Sequence, residues 1–478
     1  MDEDEIHKQA SDLSKKIQES LASEIEAKQL SVVEIPYVKF EVDFNYDASE
    51  IGMRTTTDFN KTLLVPKPGL IGSFEHLPEH KRLLETTKNK VEEERAINFL
   101  HTLEHTIVRK MLQGVENQTP YAEDVKKSIS IWIDDLLANP LHWEVPVWIR
   151  GVRINDDIGE EAVELGHGLS IRRPNSSDFG YELPSDEQTR YAPNIDDILS
   201  NVPDAILELS LETSFRGAGA DTEVENRLDS LLTCLRLYEL GSIYAIKRET
   251  RPESFMQSIP IPRLASWRPS PPHKYDIGRN DINRLRRFID TTEKWLSVAR
   301  TRKNVSSKVE IAIERYGDAL LAKESATYVE HSIASSVMCL EALYLPEMFE
   351  LKLRLSQRVA TVLRHFSFDP WKVYNVTKCA YDIRSKFVHG QMLTEREKEK
   401  YKKCGSTDIF SAQKIANSVL EYARISILTY LAIIYSTKAR KKGFIDRIDR
   451  SIVDAITDET ISDTATLISA MTPVHSDN

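Results

Sequence analysis

Apolar side chains recur along this chain in two rhythms, and the change of rhythm divides it. In the first half both occur. Val38, Phe40, Val42 and Phe44 alternate with Lys39, Glu41 and Asp43, the period of two that marks a half-buried strand. Val145–Ile154, Leu169–Arg172 and the alternating Leu207, Leu209 and Leu211 predict further strands, and Ser242–Lys247 reads as another. Between them, steps of three and four predict a long helix over Pro78–Gln113, a second over Tyr121–Leu137, and a third through Val224, Leu228, Leu231, Leu235 and Tyr238 that ends at Gly241. Residues 5–29 predict a polar helix whose apolar side is Leu13, Ile17 and Leu21. Pro, Ser, Asn and Asp crowd the stretch from Arg172 to Asp204, which reads as loop.

After the proline-rich residues 252–280 the rhythm is helical almost throughout. A helix over Ile282–Arg300 has Asp281 as its expected N-cap. Another starts near Lys308 and runs into Val329, Ile333, Val337, Leu340 and Tyr344 before Pro346 stops it. Leu351, Leu355, Val359 and Val362 define a third, Val373 to Phe387 a fourth, and Phe410–Thr437 the last long one. Beyond Lys442 stands one amphipathic set (Ile445, Ile448, Val453, Ile456), then polar sequence expected to fray. The expected organisation is an N-terminal helix (1–30), an α+β domain of unknown specificity (31–251), a Pro-rich linker (252–280), an all-α helical domain (281–442), and a C-terminal helix and tail (443–478).

Charge sharpens this division. The net charge of the 478 residues is −11, yet residues 301–450 hold 26 Lys and Arg against 17 Asp and Glu, leaving −20 on the remainder. A basic helical unit on an acidic chain points to an anionic partner such as RNA, with a solvated lysine-rich surface as the plain alternative. The most apolar run, Ile425 to Tyr435, is interrupted by Ser426 and Thr429 and is short for a bilayer span, so no membrane is expected. The acidic N-terminus lacks the order of a signal peptide. Four cysteines, widely spaced and without C-x-x-C, read as thiols of a reducing compartment. A cytoplasmic protein is the expectation.

Two constellations carry chemistry. Arg384 and His389 stand near the end of the Val373–Phe387 helix, just before Gly390, where a helix end favours positive φ. His101-Thr102-Leu103-Glu104-His105 puts two histidines one helical turn apart with Glu104 between them. The latter is similar to an inverted-zincin peptidase motif, with Glu182 as a possible third metal ligand. Core histidines on a buried helix are its structural alternative.

The helical half resembles the HEPN superfamily, and more narrowly its Apea-like branch. Four segments carry the resemblance in order: Ile313-Glu314-Arg315-Tyr316-Gly317-Asp318-Ala319-Leu320, Met338-Cys339-Leu340-Glu341-Ala342-Leu343, Leu355-Ser356-Gln357-Arg358-Val359-Ala360 and Ile383-Arg384-Ser385-Lys386-Phe387-Val388-His389-Gly390. The resemblance implies an all-α HEPN bundle acting as a metal-independent endoribonuclease without a cofactor. It also implies a homodimer whose paired Arg384 and His389 form a composite site, and a role in antiviral, anti-phage defence. Ser385 stands where many members have Asn, Asp or His.

The residues themselves allow these roles. On a regular helix, positions five apart lie about 140° around the axis, so Arg384 and His389 diverge and a second helix is needed to complete a pocket. Arg384 would hold a phosphate, and His389 would move a proton to or from the RNA 2′-hydroxyl or the leaving oxygen. Glu341 would orient Arg384 or merely solvate its helix, with Ser385 and Lys386 in support. The plain alternative is a pair of cations favouring a helix C-terminus. Two other functions remain open: a non-catalytic dimerising or RNA-binding module, and a zinc peptidase using His101, His105 and Glu182. The 31–251 domain would then receive a phage-derived trigger or a partner subunit.

Overall fold

The computed structural model describes residues 3–26, 31–45, 50–65, 70–117, 120–137, 141–159, 161–175, 178, 180–184, 203–213, 218–248, 273–302, 305–321, 328–345, 350–391, 393–402, 411–437 and 443–475. The alternation around Phe40 becomes β1 (Ser31–Asn45), paired antiparallel with β2 (Glu50–Val65), its ladder shifting register between Lys39 and Phe40. A second sheet centres on β3 (Leu141–Arg150), followed by the short β4 (Val152–Ile154), β5 (Val163–Gly166) and β6 (Leu169–Arg172). Residues 180–184, expected as loop, instead form β7, which pairs with the other edge of β1. With β8 (Ala205–Thr213) and β9 (Tyr244–Arg248), the order of the five-stranded sheet is β5-β6-β8-β3-β9.

The period of two decides which face of that sheet is dry. Trp143, Val145, Val147 and Ile149 point to one side with Leu207, Leu209, Leu169 and Ile171, and all are buried. On the other side Trp148, Ile206, Tyr244 and Ile246 make a small separate cluster. The β5–β6 turn is Gly166-His167-Gly168, and all three residues have positive φ (97°, 53° and 70°). At Gly168 a Cβ would stand 2.4 Å from the Ser210 carbonyl oxygen, so only glycine fits. β10 (Tyr275–Ile277) pairs in parallel with β4, so the chain beyond residue 272 enters a ladder with the N-terminal half. Residues 252–272 lie outside the described ones.

Helix α1 (Glu3–Glu26) buries Ile6, Ala10, Leu13, Ile17 and Leu21 completely, a fuller apolar face than its polar sequence promises. After the short α2 (Leu70–Ser73), the expected single helix over Pro78–Gln113 is two: α3 (Pro78–Lys88) and α4 (Glu93–Asn117). Thr86, Thr87 and Asn89 are weak helix formers, and the chain turns there through hydrogen bonds from Lys90 and Val91 to the Thr87 carbonyl. α5 (Ala122–Leu137) and α6 (Ala218–Tyr238) complete the α+β half.

The C-terminal half is helical: α7 (Arg279–Thr301), α8 (Ser306–Leu320), α9 (Tyr328–Tyr344), α10 (Leu351–Leu363), α11 (Pro370–Val388), α12 (Glu395–Lys402), α13 (Ala412–Thr437), α14 (Gly443–Ser451) and α15 (Ala455–Met471). α7 starts before Asp281. Gly278 is its N-cap, and the Asp281 carboxylate accepts the Gly278 N–H at 3.0 Å. Helix α13 is the core helix. Its Ala412–Ser436 stretch is long and apolar enough to cross a bilayer, more than the interrupted run suggests, but 89% of that window is buried inside the fold. Through Met471 the tail is helical and does not fray. α15 buries Ile461, Ala465, Ile468 and Met471 and packs on α13 and α14, its apolar stripe diluted in the sequence by Thr and Ser.

One buried helix end ties the halves together. The last carbonyls of α6 have no partner within the helix. Tyr275 Oη donates to Leu235 O at 3.0 Å and Tyr316 Oη to Arg236 O at 3.1 Å. Arg424 Nη1 of α13 donates to Leu237 O at 2.9 Å and Tyr238 O at 2.8 Å. Arg424 is fully buried and ion-paired to Glu421 at 2.6 Å. Side chains far along the sequence thus satisfy the end of a helix from the α+β half. Cys234 and Cys339 are buried free thiols, whereas Cys379 is disulfide-bonded, against the expectation of four thiols.

Candidate functional site

Helix α11 is fixed at both ends by its own sequence. Asp369 caps the start, its carboxylate accepting the N–H of Trp371 at 2.7 Å and of Lys372 at 3.2 Å, and Pro370 takes the first helical position. At the other end Gly390 adopts φ +66°. The Gly390 N–H reaches the Phe387 carbonyl at 3.0 Å and the Gln391 N–H reaches the Lys386 carbonyl at 2.9 Å. This is the paired closure of a Schellman motif, and it holds His389 as the capping residue. Val373, Val376, Ala380 and Ile383 are buried against the bundle, while Phe387, the fifth apolar position, is half-buried with its ring 5.9 Å from that of His331.

Arg384 turns towards α9. Its Nη2 donates to Glu341 Oε2 at 3.2 Å, and its guanidinium lies 6.0 Å from the centre of the Tyr381 ring. Nε is buried with no hydrogen-bond partner, although the side chain as a whole is 26% exposed. Burial pushes the Glu341 carboxyl above its ordinary range, against the downward pull of Arg384. Burial likewise raises the Tyr381 phenol, helped by Glu341.

His389 is exposed at the helix end, and no hydrogen bond or ion pair joins its ring to Arg384 or to any other described residue. Ser385 is half-buried between them in sequence. Lys386 leans the other way and pairs with Glu397 of α12 at 2.6 Å. Glu397 also accepts the Thr394 N–H at 2.9 Å and the Thr394 hydroxyl at 2.7 Å, so Lys386 first and Thr394 second hold its carboxyl down to about 2. A T-x-x-E start is legible in the sequence as a capping box, but that it would meet Lys386 is not. Also missing from the sequence reading is the ion pair between Lys352 of α10 and Asp382, one residue from Ile383 on the same helix.

The second constellation divides. His101 and His105 lie on the exposed side of α4 with ring centres 4.5 Å apart, and partial burial, then His101, lowers the His105 pKa. Glu104 faces the opposite way. It is 2% exposed, and its Oε1 is 2.6 Å from Nδ1 of His80 on α3, inside the N-terminal helical layer. Glu182 is placed in β7 by its backbone, opposite Lys39 of β1. Among the described residues no group of three His, Cys, Asp or Glu side chains is arranged to hold a metal ion.

Compared with family models, with curated proteins and with solved structures, the chain matches none.

Proposed function

We propose that the chain is a HEPN-type endoribonuclease that cleaves RNA without a metal ion, acts as a homodimer and serves in anti-phage defence. One observation carries the reading. At the end of α11 a guanidinium anchored by a half-buried carboxylate, with donors left over, shares a helix terminus with an exposed, unpaired imidazole. An anchored arginine whose remaining donors face no protein acceptor is suited to a phosphate. An imidazole free of ion pairs is suited to taking and giving a proton.

In the reaction, His389 takes the proton of the 2′-hydroxyl, whose oxygen attacks the adjacent phosphorus. Arg384 stabilises the charge that builds on the phosphoryl oxygens. The bond to the 5′-oxygen breaks, that oxygen gains a proton, and a 2′,3′-cyclic phosphate and a 5′-hydroxyl remain. Because Arg384 and His389 diverge around one helix, a second copy supplies the facing half of the site. The α+β half would receive the trigger.

A second reading, RNA binding or dimerisation without cleavage, has its own support. Arg384 gives one donor to Glu341, and Ser385 offers only a hydroxyl beside it. One experiment separates the two. The purified chain is incubated with RNA, with and without EDTA, beside Arg384→Ala and His389→Ala. Cleavage insensitive to EDTA and lost in both variants is the expected result. RNA retention without cleavage selects the second reading, and cleavage by both variants removes the first.

A further inference from the structure

The exposed side of α11 carries more than His389 at its end. Trp371, Tyr374, Lys378, Ser385 and His389 follow one another at steps of three, four, seven and four, and fall within an arc of about 60° on a helix. Trp371 is 70% exposed although it is the first turn of a helix locked by its Asp369 cap. Its ring lies parallel to that of Tyr374, with centroids 5.5 Å apart and planes 10° from coplanar, leaving its outer face to solvent. Lys378 stands over the Tyr374 ring at 5.7 Å, and among the described residues it forms no ion pair. The acid on this stripe, Asp382, is already neutralised by Lys352.

We infer that this stripe is a track for single-stranded RNA, in which a base stacks on Trp371 and the backbone runs past Lys378 towards Arg384 and His389. The inference rests on the reading of the α11 terminus as an RNA site and names the form of RNA it takes. The chemistry favours a nucleic acid over a protein partner. A flat aromatic face open to solvent, followed by an unpaired ammonium, matches an alternation of base and phosphate, and stacking suits any base. The eighteen residue steps from Trp371 to His389 rise about 27 Å along the axis, enough for several nucleotides. A duplex hides its base faces and has nothing to place on Trp371.

The test is fluorescence anisotropy of an end-labelled, twelve-nucleotide single-stranded RNA titrated with the full chain carrying His389→Ala, so that binding is read apart from cleavage. Adding Trp371→Ala is expected to weaken binding roughly ten-fold or more, while Trp371→Phe, which keeps a ring, retains most of the affinity. Lys378→Ala is expected to reduce the slope of log K against log salt by about 0.7, one phosphate's worth for a single strand. The same sequence as a duplex is expected to bind several-fold more weakly and to be indifferent to Trp371. Unchanged single-strand affinity in Trp371→Ala overturns the track, as does equal binding of the duplex. A change of oligomeric state in Trp371→Ala at constant RNA affinity, read by light scattering, also overturns it by assigning the face to a second copy. If the wild-type chain never cleaves RNA yet binds it through Trp371, the track stands and the catalytic reading falls. If it cleaves with a KM indifferent to Trp371, the reverse holds.

Discussion

Arg384 and Glu341 lie 43 residues apart in sequence and meet at 3.2 Å across the α9–α11 packing. The pair is unequal: the Glu341 side chain is 18% exposed and that of Arg384 26%. Glu341 holds one end of the fork through Nη2, while Nε is buried without a partner and the side chain stays partly exposed. In the proposed enzyme it is a positioning residue, one that never touches RNA.

Its first consequence is kinetic. Arg384→Ala is expected to lower the cleavage rate by about 10²–10³ through lost charge stabilisation, and His389→Ala by about 10²–10⁴ through lost proton transfer. Glu341→Gln keeps a hydrogen-bond acceptor for Arg384 and is expected to fall between wild type and Arg384→Ala, while Glu341→Ala approaches the latter. Initial rates on a labelled RNA check the order, and a Glu341→Ala enzyme at full rate removes the positioning role.

A second consequence concerns pH. Burial raises the Glu341 pKa above its ordinary 4.5. A carboxyl with a raised folded pKa binds its proton more tightly when folded. That contribution is fully present below pH 4.5 and is lost as pH rises through the folded value. Urea unfolding followed from pH 4 to 8 is expected to show this loss in wild type and a flatter dependence in Glu341→Gln.

Glu397 behaves with the opposite sign. Lys386 and Thr394 hold its carboxyl at about 2, below the ordinary 4.5. Its contribution is present above pH 4.5 and fades as pH falls towards 2, and the contact of α12 with α11 should loosen over that window. Carboxyl NMR titration of Glu397 reads the midpoint directly, and Lys386→Met is expected to move it back upwards.

The glycine that closes α11 is testable alone. A Cβ at Gly390 would meet nothing within 4 Å, so Gly390→Ala carries only the strain of φ +66°, about 1 kcal/mol. A loss of RNA cleavage much greater than that stability loss would mark His389's placement as the reason for the glycine.

Arg424 is the fold's sharpest risk because, among the described residues, it is a cation with no exposure to solvent. Replacing it with Met leaves Glu421 buried without its cation and the Leu237 carbonyl without its donor, while the Tyr238 carbonyl keeps only the Thr472 hydroxyl. The expected loss is about 3–5 kcal/mol in chemical unfolding. Adding Glu421→Gln should return part of it.

Local chemistry settled much of this molecule. The strands around Phe40, Val145 and Leu209, the helix over Pro370–Val388 and its glycine stop follow from side-chain period, an Asp cap and a residue without Cβ. Those are decided within a few residues, so the chain carries them legibly. Sequence also located Arg384, His389 and Glu341 as residues of interest, and the two histidines on one face of α4.

Tertiary packing decided the rest. Whether Glu104 faces its neighbouring histidines or the core depends on His80, which arrives on another helix. α15 is a helix because α13 covers its few apolar residues, not because its Thr-rich sequence favours one. Lys386 met Glu397, and Arg384 met Glu341, because α9, α11 and α12 lie side by side. Which charges are neutralised, and which are left to meet a phosphate, is a property of neighbours in space, and no period along the chain encodes it.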